Sequence, residues 1–299
     1  MQERSAKWKL IISMVIFGTI GLFVRHISLP SSVIALCRGV TGTVFLLALL
    51  LWRRMKLDLN AIRKNLLWLV LSGTAIGFNW ILLFESYRYT SVAVSTLCYY
   101  LAPILVILVS PLILKEQLTG KKIACVAAAL VGMVCLSGVL QSGMPKGGEL
   151  KGILFGLSAA VLYASVILLN KQLSDISALE KTVLQLGVSA VTLLPYCLLT
   201  MDGTMLTVDL KSLLLLIFVG VIHTGMAYAM YFDALGSIRG QTAAILSYID
   251  PVVAVLASVL LLREAMQGVE VIGAVLILGA AVISEVQLPK KTRKDEEQR

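Results

Sequence analysis

A 33-residue stretch occurs twice in this chain. FESYRYTSVAVSTLCYYLAPILVILVSPLILKE (84–116) returns 148 residues later, without a gap, as FDALGSIRGQTAAILSYIDPVVAVLASVLLLRE (232–264). At that one offset Phe84 meets Phe232, Glu85 meets Asp233, Tyr100 meets Tyr248, Pro103 meets Pro251, Ser110 meets Ser258, Glu116 meets Glu264 and Gly120 meets Gly268. Shared apolar composition alone would not align a mid-segment proline, two acidic positions and a basic-acidic ending in one register. The chain is therefore two related halves.

Each half is too apolar for water. Hydrophobic residues make up 58% and charged residues 14%, against about 25% charged in soluble domains. A helix crossing the hydrocarbon layer needs about 20 mainly apolar residues. Reading between polar breaks gives ten such segments, near 8–27, 31–52, 66–87, 91–114, 120–140, 150–170, 180–200, 211–234, 240–262 and 267–287. The expectation is an all-α integral membrane protein. The first segment follows basic residues as a signal peptide does, but it lacks a clear cleavage site and reads as a retained helix.

Orientation follows from the Lys and Arg of the connections, which concentrate on the cytoplasmic side. With the amino terminus inside, 19 of the 26 fall inside and six outside, with Arg38 within a span. A multi-pass cell-membrane (inner-membrane) protein with both termini cytoplasmic is expected. Five spans per half is odd, so the second copy runs through the membrane in the opposite sense. Inverted repeats of this kind place a site near the midplane that either half can open to one side. The expected parts are a first repeat over 1–140, a connection over 141–151, a second repeat over 152–287 and a charged cytoplasmic tail over 288–299.

Composition also limits partners. The net charge of +9 is spread over short loops, so no nucleic-acid partner is expected; the partners are the bilayer and a small molecule, with a homodimer left open. Five cysteines lie in apolar spans without CxxC spacing, and there are two histidines. No disulfide framework, metal site or cofactor is indicated. Nor is there a catalytic nucleophile pattern or a phosphate-binding loop, so an enzyme or an ATP-driven pump is not expected. A non-transporting sensor would be expected to carry a soluble domain or a long loop.

Intramembrane polar residues cost roughly 2.5–3.5 kcal/mol each, so each needs a partner, a cavity or a function. Asp250, directly before Pro251, leads the candidates. The two prolines, Pro103 and Pro251, mark helix breaks that can expose backbone groups to a cavity. His223 lies at a depth similar to Asp250, and the two form a proton-responsive pair if they face each other; a histidine bonded to a carbonyl is the alternative. Arg38, roughly 10 Å inside the second span, can pair with Glu85 as an outer gate, anchor a substrate carboxylate, or be neutralised. Glu85 joins His223 and Asp250 as a proton-coupling candidate. Asn79, Trp80, Thr96, Tyr99, Tyr100, Gln185, Tyr228 and Tyr248 suit a cavity with apolar walls and a few placed hydrogen bonds, though tyrosines also glue helices together. Glu116 and Glu264 are read as structural, capping the next helix or pairing with an adjacent charge. Gly73 with Gly77, Gly152 with Gly156, and Ala124, Ala128 and Gly132 are read as packing faces.

The doubled pattern of mid-span proline, apolar run, basic residue, glutamate and glycine-started helix (Pro103 to Gly120, Pro251 to Gly268) resembles the drug/metabolite transporter superfamily, in particular its EamA-type members. The resemblance covers nearly the whole chain. It implies ten transmembrane helices as two inverted five-helix repeats, and a secondary transporter working by alternating access, often an exporter of amino acids or related metabolites. Proton-coupled uptake is the alternative direction. Glu85, Asp233 and Asp250 depart from the family pattern, which makes them candidates for substrate or proton specificity.

Overall fold

The computed structural model describes residues 2–55, 57–113, 119–136, 140, 147–200, 208–235, 237–238, 243 and 246–285. Glu116, residues 141–146 of the connection and the tail over 288–299 lie outside the described residues. Within them the regular structure is helical: α1 Gln2–Gly18, α2 Ile20–Val24, α3 Ser31–Trp52, α4 Leu59–Tyr89, α5 Val92–Tyr99, α6 Ala102–Ile113, α7 Gly120–Leu136, α8 Gly148–Asn170, α9 Ala178–Thr200, α10 Leu210–Phe218, a π-helical segment Val219–Met226, α11 Ala227–Leu235, α12 Ile249–Leu260 and α13 Gly268–Glu285. Seven spans among the described residues are long and apolar enough to cross a membrane, the segment around Pro103 being one of them, and α12 and α13 are shorter apolar helices.

Local chemistry sets the ends. Asp58 accepts from the backbone N–H groups of Asn60 and Ala61, and Ser91 and Asp209 cap the helices that follow them. Ser177 and Glu180 close a reciprocal capping box, which satisfies two donors that a helix start leaves unpaired. Two interruptions fall just ahead of the prolines: α5 ends at Tyr99 and α6 begins at Ala102, while Tyr248 precedes α12.

The halves are interleaved. α4 packs on α8 and α9, α3 on α9, α1 on α11 and α12, and α7 on α13. One large apolar core runs from Val24 to Val219 and a second joins α5, α6, α7 and α13. Small residues set the closest approaches. A Cβ on Gly132 would lie 2.8 Å from the Gly273 carbonyl oxygen, and one on Gly273 would lie 2.6 Å from that of Gly132. Gly73 meets Gln185 and Val188 in the same way, and Gly152 meets Thr90. In lipid, where apolar burial gives helices little reason to associate, this backbone proximity is a main source of cohesion.

Candidate functional site

A cavity of about 370 Å³ opens between the halves, lined from α1, α3, α4 and α5 on one side and α8, α9, α11 and α12 on the other. Arg38 is its most constrained wall. The side chain is 4% exposed, its Nε donates to Thr224 Oγ1 at 3.0 Å, and its guanidinium lies over the Trp80 ring at 4.1 Å and near Phe84 at 5.4 Å. The expected pair with Glu85 does not form. Glu85 instead accepts from Ser31 Oγ at 2.7 Å and meets Arg88 at 3.4 Å. It does not line the cavity, because local partners at its own depth capture it first. Its repeat mate Asp233 pairs with Lys9 at 2.5 Å and Arg53 at 3.2 Å, also away from the lining. Among the described residues no carboxylate pairs with Arg38.

Magnitudes show what this leaves open. Removing a cation from water costs several kcal/mol, whereas a desolvated cation–π contact returns about 2 kcal/mol. The remainder needs cavity water or an anion. An aromatic-backed guanidinium in a cavity wall is suited to grip a carboxylate.

Asp250 lines another part of the same cavity and accepts from the Tyr100 hydroxyl at 2.5 Å. Its company does not include His223. The His223 Nε2 is 3.2 Å from Thr19 Oγ1, and the ring packs against Phe23 and Phe218. The π-helical segment accounts for this, since its wider turn directs Thr224 toward Arg38 while His223 faces the break between α1 and α2. A His223–Asp250 pair is therefore replaced by two separate contacts, and His223 is not part of the lining.

The remaining candidates divide cleanly. Asn79, Trp80, Thr96, Tyr99 and Tyr100 line the cavity from the first half, and Gln185 and Tyr228 from the second. Asn79 is fixed by donating to the Ala159 carbonyl at 2.6 Å. Gln185 contacts Ser72 Oγ and Asn170 Oδ1, each at 2.6 Å. Tyr248 does not line the cavity; its ring sits behind Tyr100, with centroids 6.5 Å apart. Pro103 and Pro251 are not in the lining either; each follows an interruption of its apolar segment. Sequence reasoning misses Tyr163, which stacks on Tyr99 at 4.9 Å. Its mid-span phenol in the sixth segment is an available signal, but its repeat position is Val15, so the doubled pattern does not flag it.

At one end the lining reaches Asn170, Ala178 and Lys181, beside the connection between α8 and α9. Toward the other face it stops at Thr96 and Ala254, and a polar seal lies beyond. Glu264 pairs with Arg25, accepts from the Val92 N–H at 2.9 Å and accepts from the Ser258 hydroxyl, while Ser258 Oγ accepts from the Ala93 N–H at 3.2 Å. Glu264 thus caps α5 in the opposite half rather than the helix that follows it. Arg263, with φ of 55°, makes the turn that sends it there. A left-handed non-glycine residue costs about 1–2 kcal/mol, which the four contacts of Glu264 and Ser258 offset. Glu264→Ala is expected to weaken the seal by about 1–3 kcal/mol. A cysteine placed at Thr96 would then react faster with an impermeant thiol reagent added at the Arg25 face; unchanged labelling would mean that the seal lies elsewhere.

Comparison with known proteins agrees with this architecture. The chain is 30% identical over 254 residues to "Uncharacterized transporter YxxF" of Bacillus subtilis, covering 85% of this chain and 81% of that protein. It is 27% identical over 182 residues to a "Probable amino-acid metabolite efflux pump" of Salmonella typhimurium, covering 58% and 60%. A solved structure described only as "Crystal structure of protein" superposes with a TM-score of 0.65 at 20% identity, covering 94% of this chain and 97% of that one, which speaks to the fold alone. Residues 5–138 and 150–285 each match the EamA-like transporter family, and the chain belongs to that family.

Proposed function

We propose that this protein is a secondary transporter of the cell membrane that exports amino acids or related small metabolites by alternating access around its central cavity. In this reading ten transmembrane helices form two inverted five-helix repeats, over 1–140 and 152–287, with both termini cytoplasmic. The observation that carries it is Arg38, a buried cation with no carboxylate partner among the described residues, facing a cavity to which both halves contribute. A scaffold has no use for such a charge, and a carrier does.

Direction rests on two further points. The positive-inside count assigns the connection between α8 and α9 to the cytoplasm, so the cavity end at Asn170 and Lys181 faces the compartment from which an exporter loads. The Arg25–Glu264 seal then closes the external side. The efflux pump named among the relatives supports an amino-acid-like cargo. A lipid-facing surface is consistent with the exposed apolar side chains along the helices, Val44, Leu112 and Leu199 among them.

The test is an extracellular metabolite profile of cells expressing the protein, Asp250→Asn or an empty vector, at matched expression and two external pH values. Amino acids or relatives accumulating only with the intact protein are the expected result, and a pH dependence lost in Asp250→Asn would assign proton coupling to that carboxylate. No difference between the intact protein and the vector would remove the export reading and direct attention to uptake.

A further inference from the structure

A basic and an acidic side chain face this cavity without pairing with each other. Arg38 and Asp250 are the charged groups of its inner lining, with Lys181 at the end beside the α8–α9 connection. No ion pair joins Arg38 to Asp250. Arg38 spends one nitrogen on Thr224 and its π face on Trp80, and its two terminal nitrogens make no hydrogen bond among the described residues. Asp250 spends one oxygen on Tyr100, and its other oxygen likewise has no donor among the described residues. Each pole is held by a neutral partner that orients it, and neither has an ion-pair partner among the described residues.

A singly charged ligand satisfies only one pole. An anion would settle Arg38 and leave Asp250 exposed to a drying cavity, and a cation would do the reverse. A ligand with one carboxylate and one ammonium settles both, because buried charges are tolerated when they are paired. The wall beside the poles is aromatic: Tyr99 and Tyr163 stack with planes 23° apart, and Tyr228 and Phe232 with planes 13° apart. Such faces take an apolar or planar body. A volume of about 370 Å³ sits at the low end of the ~300–1,000 Å³ typical of small-molecule pockets, which favours a single compact metabolite over a peptide or a bulky drug.

We propose that Arg38 and Asp250 are the two poles of one ligand site, which takes a small zwitterion, carboxylate on Arg38 and ammonium on Asp250, with an apolar or aromatic body against the tyrosines. This rests on the transporter reading above and adds the charge pattern of the cargo. Lys181 and six tyrosines (Tyr87, Tyr99, Tyr100, Tyr163, Tyr228 and Tyr231) are the other ionisable groups facing this space, and none of them is a second carboxylate.

The experiment uses the purified full chain in lipid nanodiscs and in proteoliposomes, with four probes: phenylalanine, para-(aminomethyl)benzoate, 3-phenylpropionate and phenethylamine. The first two carry both charges, close together or across a ring; the last two carry one each. Thermal stabilisation reports binding whether or not transport occurs, and labelled counterflow reports transport. At least one zwitterion is expected to bind about 10-fold or more tightly than either singly charged probe, as one charge-assisted contact implies. Asp250→Asn is expected to abolish the preference over 3-phenylpropionate while retaining that over phenethylamine. A merely structural Asp250 would weaken all probes alike, and that result overturns the proposal. So does binding of either singly charged probe as tightly as the zwitterions, or failure of all four to stabilise the protein. Binding with the expected preference but no counterflow would support the site and count against the transporter reading alone.

Discussion

Replacing Arg38 with glutamine is expected to lower transport at sub-saturating cargo by about 100-fold, the loss of roughly 3 kcal/mol that a charge-assisted carboxylate contact supplies. Glutamine keeps a planar amide for the Trp80 face and a donor for Thr224, so the local packing survives. The fold should survive too. Arg38 pairs with no carboxylate of the protein among the described residues, so removing its charge breaks no ion pair. Initial rates of counterflow, with folded protein quantified by size-exclusion chromatography, check both parts. Arg38→Lys is expected to fall between wild type and glutamine, because an ammonium keeps the charge but loses the planar fork and much of the stacking on Trp80. Wild-type rates in Arg38→Gln would show that the buried cation does not hold cargo.

The largest expected effect on stability lies far from the cavity. Gly273→Val brings a branched side chain into the space between α7 and α13, where its Cβ would lie 2.6 Å from the Gly132 carbonyl oxygen. That oxygen belongs to helix backbone, so no side chain can rotate away to relieve the clash. The two helices must separate, at a cost of about 3 kcal/mol, the upper part of the usual range for overpacking. For a chain of this size that corresponds to a fall of about 5–10 °C in the unfolding midpoint. Gly279→Ala, six residues further along the same helix, meets nothing within 4 Å and is expected to leave the midpoint unchanged or raise it slightly. Thermal unfolding in one detergent resolves the contrast, and equal midpoints would show that the α7–α13 contact is not tight.

These contrasts mark what a sequence can carry. The duplicated stretch and the apolar periodicity are one-dimensional signals, so the two related halves and the membrane class follow from them. Depth is legible in the same way, because it scales with position along a helix. Azimuth is less so. Arg38 and Glu85 match by depth, yet Arg38 faces Trp80 and Thr224, and Glu85 turns to Ser31 and Arg88. His223 matches Asp250 on the same ground, and a local widening of the helix turns it toward Thr19. Glu264 misleads through adjacency: the N–H group it satisfies belongs to α5, 172 residues away. Tyr99, Tyr100 and Tyr228 stand out in the sequence by their repeat positions and lie in the cavity lining; Tyr163 lines the cavity too, but without a repeat echo it goes unmarked in the sequence.

One close contact joins the cavity wall to the packing of the first helix. A Cβ on Gly18 would lie 2.4 Å from the carbonyl oxygen of Asp250, so the first helix and the start of α12 touch backbone to backbone at the residue whose carboxylate faces the cavity. Gly18 also precedes the interruption at Thr19 between α1 and α2. In the proposed alternating-access cycle, any rocking of the first helix against α12 moves the backbone of Asp250, and a ligand held by its carboxylate pushes back on the contact at Gly18.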